Sequence, residues 1–81
     1  MKNITINCAP IGSMAEFHGT LARELRFPEW YGRNLDALHD CLTGISQDAC
    51  ITVLWPELLP GLIRVLTDSA EDNPHLTLKL T

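Results

Sequence analysis

Two aspartates four residues apart, Asp36 and Asp40, are the groups in this sequence best placed to act on another molecule. At about 100° per residue on a helical wheel, Asp36, Asp40 and Thr43 fall on one side. Leu35, Leu38, Cys41, Leu42 and Ile45 fall on the other, and His39 lies at the boundary. Carboxylates that project together can hold the ammonium or guanidinium groups of a basic partner by charge-assisted hydrogen bonds. The segment just before them, Pro28 to Gly32, carries Trp30 and Tyr31 in a turn bounded by proline and glycine. Turns usually meet solvent, and rigid aromatic side chains beside clustered charge make a plausible binding surface. One of the two rings is expected to be buried as an anchor. A like-charged pair at i and i+4 costs an isolated helix only a few tenths of a kcal/mol, so a merely solvated acidic face is the competing explanation.

Charge and cysteine usage narrow the chemistry. Ten acidic against six basic residues leave a net charge of −4, which argues against direct nucleic-acid binding and favours a basic partner drawn in by the long-range field. The three cysteines, Cys8, Cys41 and Cys50, are odd in number, widely spaced and set in apolar patterns without a C-x-x-C pair. Free buried thiols are expected, with no metal site and no cofactor. No stretch reaches the roughly twenty apolar residues of a membrane span. The first residues read as a strand rather than a signal segment, so a cytoplasmic location is expected.

The elements that must position the acidic segment follow from periodicity. With 81 residues and 46% hydrophobic content, one domain covering 1–81 is expected, with enough apolar material for a core. Ile4, Ile6 and Cys8 alternate with Asn3, Thr5 and Asn7, the period of a strand buried on one face. Ser13 to Glu16 has the form of a capping box, and the helix after it carries Met14, Phe17, Leu21 and Leu25 on one stripe. His18 at the stripe's edge is expected to be a partly buried, hydrogen-bonded structural histidine, and Pro28 to end this helix. A second helix is expected from Asn34, a good N-cap, to Gly44, a common residue just past helix ends. Residues 49–55 form a nearly continuous apolar run, read as the most buried, central strand. A third helix is placed between Pro56 and Ala70, with Leu62, Ile63, Val65 and Leu66 on it and Pro60 in its first turn or at a kink. Leu76, Leu78 and Leu80 alternate in a last strand. The order β-α-α-β-α-β predicts a two-layer α/β fold: a three-stranded parallel sheet in order 1-2-3, with helices packed on one face.

The run Pro28-Glu29-Trp30-Tyr31-Gly32-Arg33-Asn34-Leu35-Asp36-Ala37-Leu38-His39-Asp40-Cys41-Leu42-Thr43-Gly44 closely resembles the signature segment of the barstar family, intracellular inhibitors of barnase-type ribonucleases. The resemblance extends to the opening strand, the helix around Phe17, His18 and Leu21, the strand ending near Trp55, and the closing strand. It implies a barstar-like fold and inhibition by mimicry, in which carboxylates enter a cationic active site where RNA phosphates would sit. Asp40 would be the principal phosphate mimic and Asp36 its companion. Tyr31, Gly32 and Asn34 would shape the loop contact, with Trp30 at its margin and Thr43 and Gly44 near the helix end. It also implies a one-to-one complex with a ribonuclease or similar basic toxin, and a monomer when free. Two positions depart from the family pattern: His39 stands where tryptophan is usual, beside the carboxylates, and Ile45 replaces an aromatic. The stretch from Trp55 to Leu76 is shorter than the family's and has one helix fewer there, so an auxiliary acidic contact maps only loosely onto Asp68.

Two other readings compete. The same fold could serve as an immunity or interaction protein for a different basic partner, since fold does not fix the target. Asp36, Asp40 and His39 could instead be acid, base or metal ligands of an enzyme. Against catalysis, the sequence shows no nucleophile elbow, phosphate loop or second ligand cluster, and so small a domain leaves little room for a deep pocket.

Overall fold

The computed structural model describes residues 1–10 and 12–81. Its elements are β1 (Lys2–Asn7), α1 (Ser13–Glu24), α2 (Leu35–Thr43), β2 (Ala49–Leu54), α3 (Pro60–Asp72) and β3 (Leu76–Leu80), with a single 3-10 turn at Pro56–Leu58 before α3. The three strands form one parallel sheet in the order β1-β2-β3. In its register Ile51 stands between Ile4 and Leu78, and Val53 between Ile6 and Leu80. The face carrying these residues packs with Phe17, Leu21 and Leu25 of the α1 segment, Leu38 and Leu42 of α2, and Leu62 and Leu66 of α3 in one hydrophobic core. Asn3, Thr5, Asn7, Thr77 and Lys79, on the other face, are exposed. The two-layer α/β fold expected from periodicity is therefore the fold observed, with β2 central because its residues are apolar on nearly every position.

Several local expectations give way to tertiary contacts. Ser13 does not cap α1. Gly12 is the N-cap residue, with φ 85°, and the Ser13 hydroxyl instead donates to the Cys8 carbonyl at 3.3 Å. The positive φ, which glycine adopts without steric cost, turns the chain so that Ser13 is already inside the first helical turn and buried. Met14, expected on the apolar stripe, is exposed, whereas His18 takes up core space. The helix ends at Glu24, well before Pro28. Arg26 adopts a left-handed conformation and the Phe27 amide reaches back to the Ala22 carbonyl at 2.9 Å. This is the Schellman ending usually built on glycine, so it is the hydrogen bond, not the proline, that stops the helix.

Trp55 is likewise not a buried strand residue: it lies just beyond β2 with φ 58° and is exposed. Pro60 occupies the first turn of α3, where its missing amide costs nothing, and the helix runs past Ala70 to Asp72. On β3 Leu76 is buried, Leu78 half-buried and Leu80 exposed, so the expected alternation fades toward the strand's end. Cys8, Cys41 and Cys50 are all free thiols.

Candidate functional site

The acidic segment folds as predicted from Asn34 onward. The Asn34 side chain accepts from the Ala37 amide at 2.8 Å, and its carbonyl accepts from Leu38 at 2.9 Å. This fixes the start of α2 and hence the rotation of the helix. Leu38 and Leu42 point into the core with no exposed surface. A helix held by that face must turn Asp36 and Asp40 outward, and both are exposed, about 6 Å apart along the axis. Neither makes an ion pair among the described residues. Two unneutralised carboxylates are therefore presented side by side.

The loop before α2 divides its two aromatic side chains as expected. Tyr31 is buried, packed edge-on against Phe27, and its hydroxyl is hydrogen-bonded to Nδ1 of His18 on α1. Trp30 is 75% exposed. Burial pushes the Tyr31 pKa up to about 12 and, with the nearby Arg33 charge, pushes that of His18 down. At neutral pH Tyr31 thus keeps its hydroxyl proton and His18 is uncharged, so the bond joins two neutral groups. Arg33, with φ 52°, reaches back toward α1, where a Cβ on Gly19 would lie 3.8 Å from its guanidinium. Gly32 is exposed, and a Cβ there would come within 3.0 Å of the Asn34 side-chain nitrogen. That close approach is why glycine suits the position.

At the other end of α2 the carbonyls left without helical partners are satisfied locally and at long range. The Thr43 hydroxyl lies 2.9 Å from the His39 carbonyl and 3.1 Å from that of Asp40, and the Gly44 amide bonds Cys41. Thr43 is thus engaged with the helix, and Gly44 closes it in the right-handed region rather than as a left-handed cap. The Leu42 and Ile45 carbonyls accept from the Asn73 amide group at 2.9 and 3.0 Å. Asn73, from the α3–β3 junction, is 3% exposed and in turn accepts from the His75 amide at 3.0 Å. Sequence reasoning missed it; the Asn73-Pro74 pair that ends α3 was the available signal, and it says nothing about which carbonyls the side chain will meet.

His39 is half-buried where α2 packs on α3, with Nε2 3.5 Å from an Asp72 carboxylate oxygen. Ile45 packs against the core's margin. Asp68 is exposed on α3, one turn before Asp72. The structure thus gathers Trp30, Gly32, Asn34, Asp36, His39, Asp40, Thr43 and Gly44 along α2 and its flanking loops, with Tyr31 beneath them as the anchor. No group of three or more potential metal ligands occurs among the described residues.

The sequence model of a known family, described as Barstar (barnase inhibitor), matches residues 1–73. A Bacillus subtilis (strain 168) protein named "Putative ribonuclease inhibitor YrdF" is 48% identical over 44 residues, which is 54% of this chain and 48% of that protein. The chain thus aligns with about half the length of that relative.

Proposed function

The chain belongs to the barstar family, and from that premise we propose that it inhibits a barnase-type ribonuclease by presenting Asp36 and Asp40 where the phosphates of RNA would bind. The observation that carries this reading is the outward carboxylate pair, without an ion-pair partner among the described residues, on a helix fixed at both ends. A ribonuclease must hold phosphate with Arg and Lys, and those groups accept carboxylates with similar geometry, bidentate in the case of Arg. Asp40 is the principal mimic and Asp36 its companion. Trp30 supplies apolar area at the rim, Gly32 and Asn34 shape the loop backbone, and Thr43 and Gly44 border the helix end. Because the helix is already ordered, little conformational entropy is lost on docking. The protein acts as a plug and not as an enzyme.

A second reading, an immunity or interaction protein for another basic toxin, draws support from His39. An imidazole beside the carboxylates offers less aromatic bulk and a different hydrogen-bonding pattern, so the matching partner surface differs.

Calorimetric titration into a barnase-type ribonuclease, with RNA cleavage followed in parallel, tests the proposal. One-to-one binding that abolishes cleavage and weakens with salt is the expected result. Asp40→Ala should weaken binding by roughly thirtyfold to several thousandfold, the range for truncating one member of a buried charge pair, without lowering thermal stability. Retained inhibition by Asp40→Ala would overturn the mimicry. No binding, alongside binding to another basic protein, would favour the second reading.

A further inference from the structure

We propose that Arg33 is a specificity-determining residue of the inhibitory face: a positive charge that disfavours ribonucleases with a basic residue opposite the loop and favours one with a carboxylate there. The inference rests on the inhibitor reading above. Arg33 is the only lysine or arginine from Pro28 to Gly44, and it stands between Gly32 and Asn34, two residues assigned to the loop contact. It is exposed and makes no ion pair among the described residues. Asp36, three positions on, therefore does not neutralise it. A cation and two carboxylates are presented on neighbouring parts of one surface.

The backbone and α1 hold this charge on the α1 side of the carboxylates. Arg33 has φ 52°, a left-handed conformation that is costly for arginine and easy for glycine. Its guanidinium lies along α1 at Gly19, where a Cβ would be 3.8 Å away. It is close to the buried His18 as well: burial lowers the His18 pKa, and the Arg33 charge adds to the effect. Opposite a cationic phosphate site, Asp36 and Asp40 supply an attraction common to every such ribonuclease. Arg33 supplies the opposite sign beside them, so the best partner is one whose charge changes sign between helix and loop. Like charges brought together at an interface reject wrong partners, and rim charges act mainly on the association rate.

The test uses a barnase-type ribonuclease whose phosphate site is bordered by lysine and arginine, titrated with the parent protein, Arg33→Glu, Arg33→Gln and Lys79→Glu. Lys79 is exposed on the sheet face away from the helices, so its reversal changes net charge equally but away from the interface. In about 0.1 M salt, Arg33→Glu should tighten binding about tenfold, chiefly through faster association, and Arg33→Gln about threefold. Lys79→Glu should change it by about twofold or less, and all three gains should shrink in about 1 M salt. Arg33→Gln keeps the test decisive if Arg33→Glu folds poorly. Replacing the basic residues around the ribonuclease's site by glutamate, one at a time, should yield a variant that binds the parent protein better than Arg33→Glu.

Equal effects of Arg33→Glu and Lys79→Glu would reduce Arg33 to its share of net charge and overturn the specificity role. So would weaker binding of Arg33→Glu to the basic-rimmed ribonuclease, or the absence of any glutamate variant that reverses the order. Failure of the parent protein and every variant to bind would defeat the inhibitor reading and this inference with it, whereas binding without a difference between the two charge reversals defeats this inference alone.

Discussion

The two ends of α2 are held by different chemistry. At the start, Asn34 caps the helix, and the loop leading to it is pinned by Tyr31 against a buried histidine. At the end, the Asn73 amide, which does not ionise, clasps two carbonyls from 31 and 28 residues away. One support is local and partly titratable; the other is remote and indifferent to pH. Both serve the same need, since an outward carboxylate pair is useful only if the helix bearing it cannot rotate or fray. The difference teaches that acid should slacken the aromatic loop before it slackens the helix end.

Substitutions at either end would sharpen or break this contrast. Asn73→Ala leaves the Leu42 and Ile45 carbonyls and the His75 amide without their partner, and should cost about 2–4 kcal/mol in urea unfolding. Asn73→Asp keeps the acceptor for His75 but loses both donors, so it should remain nearly as unstable. If Asn73→Ala were neutral, the remote clasp would be dispensable. Tyr31→Phe removes the hydroxyl and strands Nδ1 of the buried His18, at a cost of roughly 1–3 kcal/mol. Asn34→Ala removes a single capping bond and should cost about 1 kcal/mol, seen in the same unfolding assay.

The final prediction concerns pH. Burial holds the His18 pKa below its ordinary value, with Arg33 adding to the effect, so the unfolded chain takes up this proton more readily than the folded one. His18 therefore contributes stability that is complete above about pH 6.5, declines as pH falls toward its lowered folded value, and levels off below it. Denaturation midpoints at pH 7.5 and 5 should show the decline in the parent protein and less of it in His18→Gln. An unchanged decline would assign the acid sensitivity to other groups and erase the proposed contrast between the two ends.

The elements themselves were legible because each has a period that its own residues carry. Ile4 and Ile6 alternate on β1, residues 49–54 are apolar almost throughout, and Asn34 precedes a helix whose apolar face is complete within eleven residues, Leu35 to Ile45. From the same eleven residues, the outward direction of Asp36 and Asp40 followed without further information, because helix geometry forces it once Leu38 and Leu42 are buried. The resemblance carried by Pro28 to Gly44 pointed to the family.

Only the tertiary structure decided which of Trp30 and Tyr31 would be the anchor, that Ser13 would bond Cys8 rather than cap its helix, and that Arg26 would end α1 before Pro28 could. It alone brought Asn73 to the end of α2 and Asp72 to His39. The physical reason is the range of the interactions. Periodicity and helix geometry act over one or two turns of one element, whereas an orphan carbonyl or a ring nitrogen is satisfied by whatever side chain the packed layers bring within about 3 Å.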